Sequence, residues 1–138
     1  MSWKINILEN NILELEVSGQ ITHKRAIEQA DEIIKLSREL EIFRFLLNIV
    51  NLHPENELEI SLSEIYILPE YYINRGLPRY SKIALILPKI DYRMDDINFL
   101  AGVFMRSGYS FALLKDKDKA IQYLIKEESC DVSGCSIC

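Results

Sequence analysis

Cysteine does not occur in this chain before Cys130, and the other two cysteines are Cys135 and Cys138. No disulfide can therefore cross-link the body of the chain, and we expect a cytoplasmic protein because disulfides persist mainly in oxidising compartments. No apolar run approaches the ~18 residues that a membrane span needs. The N-terminus enters an alternating strand pattern at once, so we expect neither a membrane span nor a signal peptide.

Positive charge is also scarce, with 16 Lys and Arg against 21 Asp and Glu and a formal net charge of -5. The cationic residues are spread along the sequence, which argues against sequence-independent binding of nucleic acid. With 138 residues, 49% of them apolar, the chain suits a single domain with its own core. We expect this domain at residues 1–126 and a flexible tail without hydrophobic periodicity at 127–138.

Hydrophobic periodicity predicts an α/β fold with the element order β-β-α-β-α-β-α-β-α. Strands that alternate with helices imply right-handed crossovers and a mixed, mostly parallel sheet of about five strands. The first two strands form a hairpin whose second strand alternates. Its apolar residues Leu13, Leu15 and Val17 predict the core face, and Glu14 and Glu16 predict a face open to water.

The stretch from residue 42 to 65 is the most informative part of the sequence. Phe43 to Val50 is almost continuously apolar, which is typical of a strand buried on both faces. A loop at 51–59 follows, and a helical pattern begins near Ser61. In open α/β sheets ligands bind at such strand-to-helix junctions. This loop contains no glycine and no phosphate-binding motif, so the sequence names no substrate.

Single residues predict where several elements begin and end. Thr22, Asp95 and Asp116 precede helical patterns and are predicted N-caps. Gly108 is a predicted C-terminal stop. Pro69 must kink or end its helix, because proline lacks an N–H group and clashes with the preceding turn.

Four segments, at 12–22, 45–52, 81–87 and 111–124, resemble in pattern and order the SpoIIAA-like branch of the STAS fold, which is grouped with Sec14-type lipid-binding domains. The resemblance spans residues 3–126 and includes no invariant catalytic motif. It implies a non-enzymatic regulatory or binding module that acts through the loop and helix after the third strand. It implies no cofactor.

Anti-sigma-factor antagonists of this fold carry a phosphorylatable serine in an Asp-Ser-Ser-Gly or Asp-Ser-Thr-Gly type motif at the start of that helix. The corresponding stretch, Pro54 to Ser61, has no Asp-Ser pair and no glycine. Ser61 and Ser63 are the nearest hydroxyls, and carboxylates such as Glu57 would repel a phosphate there. The two serines could be modified or could bind an anion. We favour helix capping.

Five tyrosines could line a cleft for an apolar or lipid-like ligand: Tyr66, Tyr71, Tyr72, Tyr80 and Tyr92. Arg75, Arg79 or Arg93 could then receive a head group. We favour the simpler interpretation, in which the rings pack as a stripe in the core and the hydroxyl groups at its rim remain in contact with water. The partner is thus a protein or a small apolar ligand, and a homodimer is left open. The candidate binding residues are Asn51, Glu57, Ser61, Ser63, Tyr66 and Tyr72.

The tail has the spacing C-x4-C-x2-C at Cys130, Cys135 and Cys138. Plant-type iron–sulfur ligation uses this spacing but needs a fourth cysteine. A zinc ion with one outside ligand, a bridge between two chains, or an atypical C-a-a-X box are alternatives to an oxidation-prone tail, which we favour. His23 and His53 stand apart from any nucleophile in sequence, and we predict no catalytic residue.

Overall fold

The structure is a computed structural model that describes residues 2–18, 23–51, 62–87 and 94–126. The strands in these ranges are β1 (Ser2–Leu8), β2 (Ile12–Ser18), β3 (Arg44–Asn51), β4 (Lys82–Ile86) and β5 (Ser110–Leu114). The helices are α1 (His23–Leu40), α2 (Leu62–Asn74), α3 (Met94–Arg106) and α4 (Lys117–Ile125). The predicted α/β class and element order are confirmed.

The strands form one sheet in the order β1-β2-β3-β4-β5. Strand β1 is antiparallel to β2, and the other neighbours are parallel. Because each crossover moves one strand in the same direction, right-handed connections put α1, α2 and α3 on one face of the sheet. The predicted mixed, mostly parallel sheet is therefore confirmed.

Each face of the sheet has its own hydrophobic core. Beneath α1, α2 and α3 lies the larger core, which includes Leu15, Ile33, Leu68, Leu85 and Phe104. On the opposite face, α4 buries Ala120 and Leu124 against Ile12, Leu46, Ala84 and Ile86. The central strands are thus covered on both sides, as the apolar run in β3 predicts. No helix among the described residues is both long and apolar enough to cross a bilayer.

The local boundary signals hold in most places. Asp116 caps α4, since its side chain accepts a hydrogen bond from the Lys119 N–H at 2.8 Å. Gly108 follows α3 with φ 103°, a left-handed conformation that favours glycine. Asp95 is not the cap of α3, because the helix already begins at Met94. Thr22 lies outside the described residues.

Pro69 does not end its helix. Helix α2 continues to Asn74, and Pro69 is fully buried within it. The missing N–H group therefore lies on the core side of α2, where the ring itself contributes apolar contact.

Candidate functional site

The parallel strands end at one edge of the sheet, which we call the carboxyl edge. It is marked by the last residues of β2, β3, β4 and β5, which are Ser18, Asn51, Ile86 and Leu114. Ligands of open α/β sheets bind outside this edge. Strand β3 ends at this edge with Asn51, and α2 begins at Leu62 after residues that lie outside the described ranges.

The pairing between β2 and β3 becomes irregular at this edge. Glu16 is opposite Asn48, but Ser18 is opposite Asn51, so two steps on β2 face three steps on β3. The extra residue on β3 makes a β-bulge, and bulges redirect side chains and often lie next to functional sites. The end of β3, with Asn51, is thus the distorted part of the ladder.

Some of the predicted site residues can be placed and some cannot. Asn51 ends β3, and Ser63 and Tyr66 lie in the first turns of α2, where only the backbone is described. Glu57 and Ser61 lie outside the described residues. As a binding site, this set of residues stays a prediction.

Tyr72 is a residue of α2 whose ring packs against α3. Its ring meets the Phe104 ring edge to face, with centroids 5.3 Å apart. Burial is the main cause that raises the pKa of Tyr72 to about 12, and the neighbouring Tyr109 and Tyr71 contribute to the same increase. Tyr72 therefore makes a packing contact, as the favoured interpretation predicts, but its hydroxyl is desolvated and is not one of the wet hydroxyls expected at the rim.

Tyr71 and Arg75 connect the end of α2 to α1. The Tyr71 hydroxyl donates to the Asp31 carboxylate at 2.8 Å, and the Arg75 Nε lies 3.3 Å from the same carboxylate. The Arg75 guanidinium also stacks on the Tyr71 ring at 4.7 Å. Arg75, one of the predicted head-group receptors, is thus engaged within the chain.

The outward face of α2 remains accessible. Ile67, Glu70 and Asn74 are exposed, whereas Leu68 and Pro69 are buried. Ile67 is 49% exposed, so this face of α2 presents a large apolar side chain to solvent. This face could contact a partner without disturbing the core.

A polar cluster on the α4 face of the sheet was not predicted. Glu14 is only 1% exposed, so the prediction that it faces water is wrong. Its carboxylate accepts hydrogen bonds from the side-chain amides of Asn6 at 3.1 Å and Asn48 at 3.2 Å. Lys117, at the start of α4, places its Nζ 3.3 Å from the same carboxylate. Helix α4 thus covers and pairs the charge.

This cluster connects strands β1, β2 and β3 to the first residue of α4. Asn6 donates a second bond, at 2.8 Å, to the half-buried Glu16. Because three donors face the Glu14 carboxylate, replacing one of its oxygens with an amide nitrogen would leave them fewer acceptor positions there. Among the described residues no group of three or more His, Cys, Asp or Glu could hold a metal ion. Polar residues inside β2 and β3 are the sequence signal that could have suggested the cluster.

No family model matches the chain, and no curated protein matches it. A structure of the anti-sigma factor antagonist SpoIIAA in its unphosphorylated form is similar, with 11% identity, a TM-score of 0.51, and coverage of 88% of this chain and 96% of that one. This likeness shows the fold, and the predicted SpoIIAA-like, STAS-type fold is confirmed.

A second solved structure also matches. It is the Bacillus cell fate determinant SpoIIAA in the phosphorylated form, with 12% identity over 88% of this chain and 98% of that chain, and a TM-score of 0.47.

Proposed function

We propose that this chain is a non-enzymatic regulatory module that binds a protein partner through the carboxyl edge. The surface comprises the loop after β3 and the outward face of α2. The observation that supports it most is the accessible Ile67 on a helix that follows the bulged end of β3. SpoIIAA, which shares the fold, is an anti-sigma factor antagonist.

The charged and titratable groups favour binding over catalysis. A catalytic site usually brings groups with shifted pKa values together in a cleft. Here burial raises the pKa of Tyr72 and of Tyr109, and both rings contact Phe104 within the core. The buried Glu14 is engaged by α4. These groups serve packing, which supports a binding module.

Partner binding in this proposal does not require a phosphate. SpoIIAA has been solved in unphosphorylated and phosphorylated forms. The stretch of this chain that corresponds to the phosphorylated motif lacks the Asp-Ser pair, and Ser61 and Ser63 follow several carboxylates. Because those charges would repel a phosphate, we propose that the partner recognises shape and apolar area instead.

The test is to capture the partner on the immobilised full chain and then to measure its affinity for variants. Ile67→Glu places a charge in the centre of the proposed surface and should weaken binding at least about tenfold, as loss of a central apolar contact does. Ile7→Glu is the matched control, since it makes the same change at a side chain that is 61% exposed on β1. Equal affinities for the two variants would contradict the proposal.

The alternative is a carrier of an apolar or lipid-like ligand in the region of Tyr66 and Tyr72. Native and denaturing mass measurements on protein purified without added ligand separate the two functions. A small-molecule mass that is lost on denaturation would support the carrier. A bare mass in both conditions agrees with a filled core, which the contact of Tyr72 with Phe104 favours.

A further inference from the structure

The end of the molecule opposite the carboxyl edge gathers arginines that are far apart in sequence. Helices α1, α2 and α3 end there, just before β3, β4 and β5 begin. Residues near those helix ends and strand starts therefore meet at one end of the sheet. We call this surface the arginine pole, and its arginines are Arg38, Arg44, Arg75, Arg79 and Arg106.

Helix ends explain part of this charge, because cations are favourable near the negative end of a helix dipole. Arg38 is in the last turn of α1 and donates to the Arg75 carbonyl at 3.4 Å. Lys82 plays the same part for α4, donating to the carbonyls of Tyr123 at 3.3 Å and Lys126 at 2.7 Å. These cations are engaged by the chain's own backbone.

Arg44 donates to the Asn10 carbonyl at 3.2 Å and Arg75 pairs with Asp31, so two of the five arginines are left over. Arg79 lies in the loop between α2 and β4. Its side chain lies close to Gly108, since a Cβ at that glycine would be only 3.1 Å from the Arg79 Cδ. Arg106 is in the last turn of α3. Among the described residues neither guanidinium pairs with a carboxylate, and both side chains are exposed. They form a cationic patch on the β4–β5 side of the pole.

Exposed apolar side chains accompany these arginines. Tyr80, next to Arg79, is 73% exposed and touches only the edge of Phe43 among the described rings. Met105, next to Arg106, is exposed as well. Helix dipoles give no reason for exposed Tyr and Met, whereas Arg, Tyr and Met are enriched at interaction surfaces. The patch therefore suits a segment that is both acidic and partly apolar.

The chain itself supplies such a segment. Residues 127–138 follow Lys126, whose carbonyl is bound by Lys82 at the arginine pole. The segment contains Glu127, Glu128 and Asp131, apolar Val132 and Ile137, and no Lys or Arg. Fully extended, twelve residues reach roughly 40 Å, which is enough to cross the end of a small domain.

We propose that residues 127–138 dock on the arginine pole of their own chain, with carboxylates against Arg79 and Arg106 and apolar side chains against Tyr80 and Met105. A short tether gives an effective concentration of about 1 mM, so weak contacts suffice. The carboxylates Glu9, Glu39 and Glu41 lie on the β1–β3 side of the same pole, which directs an acidic segment toward β4 and β5.

The cysteines of the segment make the test possible. In the full chain with Cys135→Ser and Cys138→Ser, a nitroxide attached to Cys130 is the sole label, and amide broadening is measured by NMR. If the segment docks, the nitroxide broadens the amide signals of Tyr80 and Gly108. At about 1 M salt the screening length is only ~3 Å, so the attraction between charges weakens and this broadening should fall at least about twofold. Arg79→Glu should cause the same fall at low salt.

Lys24→Glu is the matched control, since it makes the same change in charge on an exposed residue in the first turn of α1, at the other end of the sheet. It should leave the broadening unchanged. Broadening that responds to neither salt nor Arg79→Glu would show a free tether and overturn the proposal. Broadening of an unlabelled ¹⁵N chain by a labelled second chain would also overturn it, because the occupant would then be another copy.

Discussion

Glu14 shows how a single residue can be misassigned by a correct strand pattern. Its alternation with Leu13 and Leu15 places it on the second face of the sheet, which is right. The second face is not open at this position, however, because α4 covers it and Lys117 reaches the carboxylate. The negative charge of Glu14 is therefore stabilised inside the protein by hydrogen bonds from two side-chain amides and by an ammonium group.

Glu14→Gln should lower the free energy of unfolding by about 1–3 kcal/mol. The reason is that the NH2 group of the new glutamine would face other hydrogen-bond donors in place of an acceptor. Lys117 is 47% exposed, so most of this loss comes from the buried amide bonds rather than from the ion pair. The change in the free energy of unfolding is measured by urea denaturation. Glu16→Gln is the control, since Glu16 is only half-buried, and equal losses for both variants would contradict this assignment.

Tyr72 predicts a pH dependence at the alkaline end. Its pKa in the folded protein is raised to about 12 from 10.0, so between these pH values the unfolded chain loses a proton that the folded chain keeps. Stability is complete below pH 10 and should fall by about 2–3 kcal/mol as the pH rises toward 12. Tyr72→Phe should remove most of this decline.

The measurement is the difference in unfolding free energy between the wild type and each variant at several alkaline pH values. Taking the difference cancels the titration of lysines. Tyr80→Phe is the control because Tyr80 is exposed, and its difference should not change with pH. A Tyr72→Phe difference that is constant across the range would mean that the Tyr72 hydroxyl is not desolvated.

Helix α4 is the element on which the second core depends. It is the cover for Leu46, Ala84 and Ile86, and it is held at its N-terminus by the Asp116 cap and at its C-terminus by Lys82. The larger core, by contrast, has three helices over it. We therefore expect α4 to open more readily than α1, α2 or α3.

Asp116→Ala should lower stability by about 1 kcal/mol through loss of the cap. Hydrogen exchange should accelerate first in residues 117–125, with smaller changes in β2 and the helices of the other face. Asp118→Ala, in the first turn of the same helix, removes only a dipole contact and should have a smaller effect. Uniform acceleration throughout the chain would show that α4 does not open separately.

Much of the whole molecule follows from local sequence patterns. Repeats of apolar residues at periods of two and 3.6 predict the order of the elements. The roles of Asp116 and Gly108 are predictable because each residue interacts only with the helix end directly beside it in sequence. Helix α3 begins at Met94, two residues earlier than an N-cap at Asp95 predicts. Such boundaries depend on neighbouring contacts as well as on the residue type.

The features that could not be predicted depend on residues far apart in sequence. Lys117 meets Glu14 across 103 positions, and no local pattern shows which strand face α4 will cover. The arginine pole likewise exists only because several helix ends meet. The candidate site is intermediate: the helical pattern correctly places Ser63 in α2, whereas Asn51, which was predicted in the loop, is the last residue of β3.

The most direct test of the central claim is hydrogen exchange on the full chain with and without its captured partner. We predict slower exchange in α2, residues 62–74, and at the ends of β2 and β3 near Ser18 and Asn51. The arginine pole and α4 should be unchanged. Protection confined to the arginine pole or to α4, with none in α2, would contradict the claim that this protein binds through its carboxyl edge.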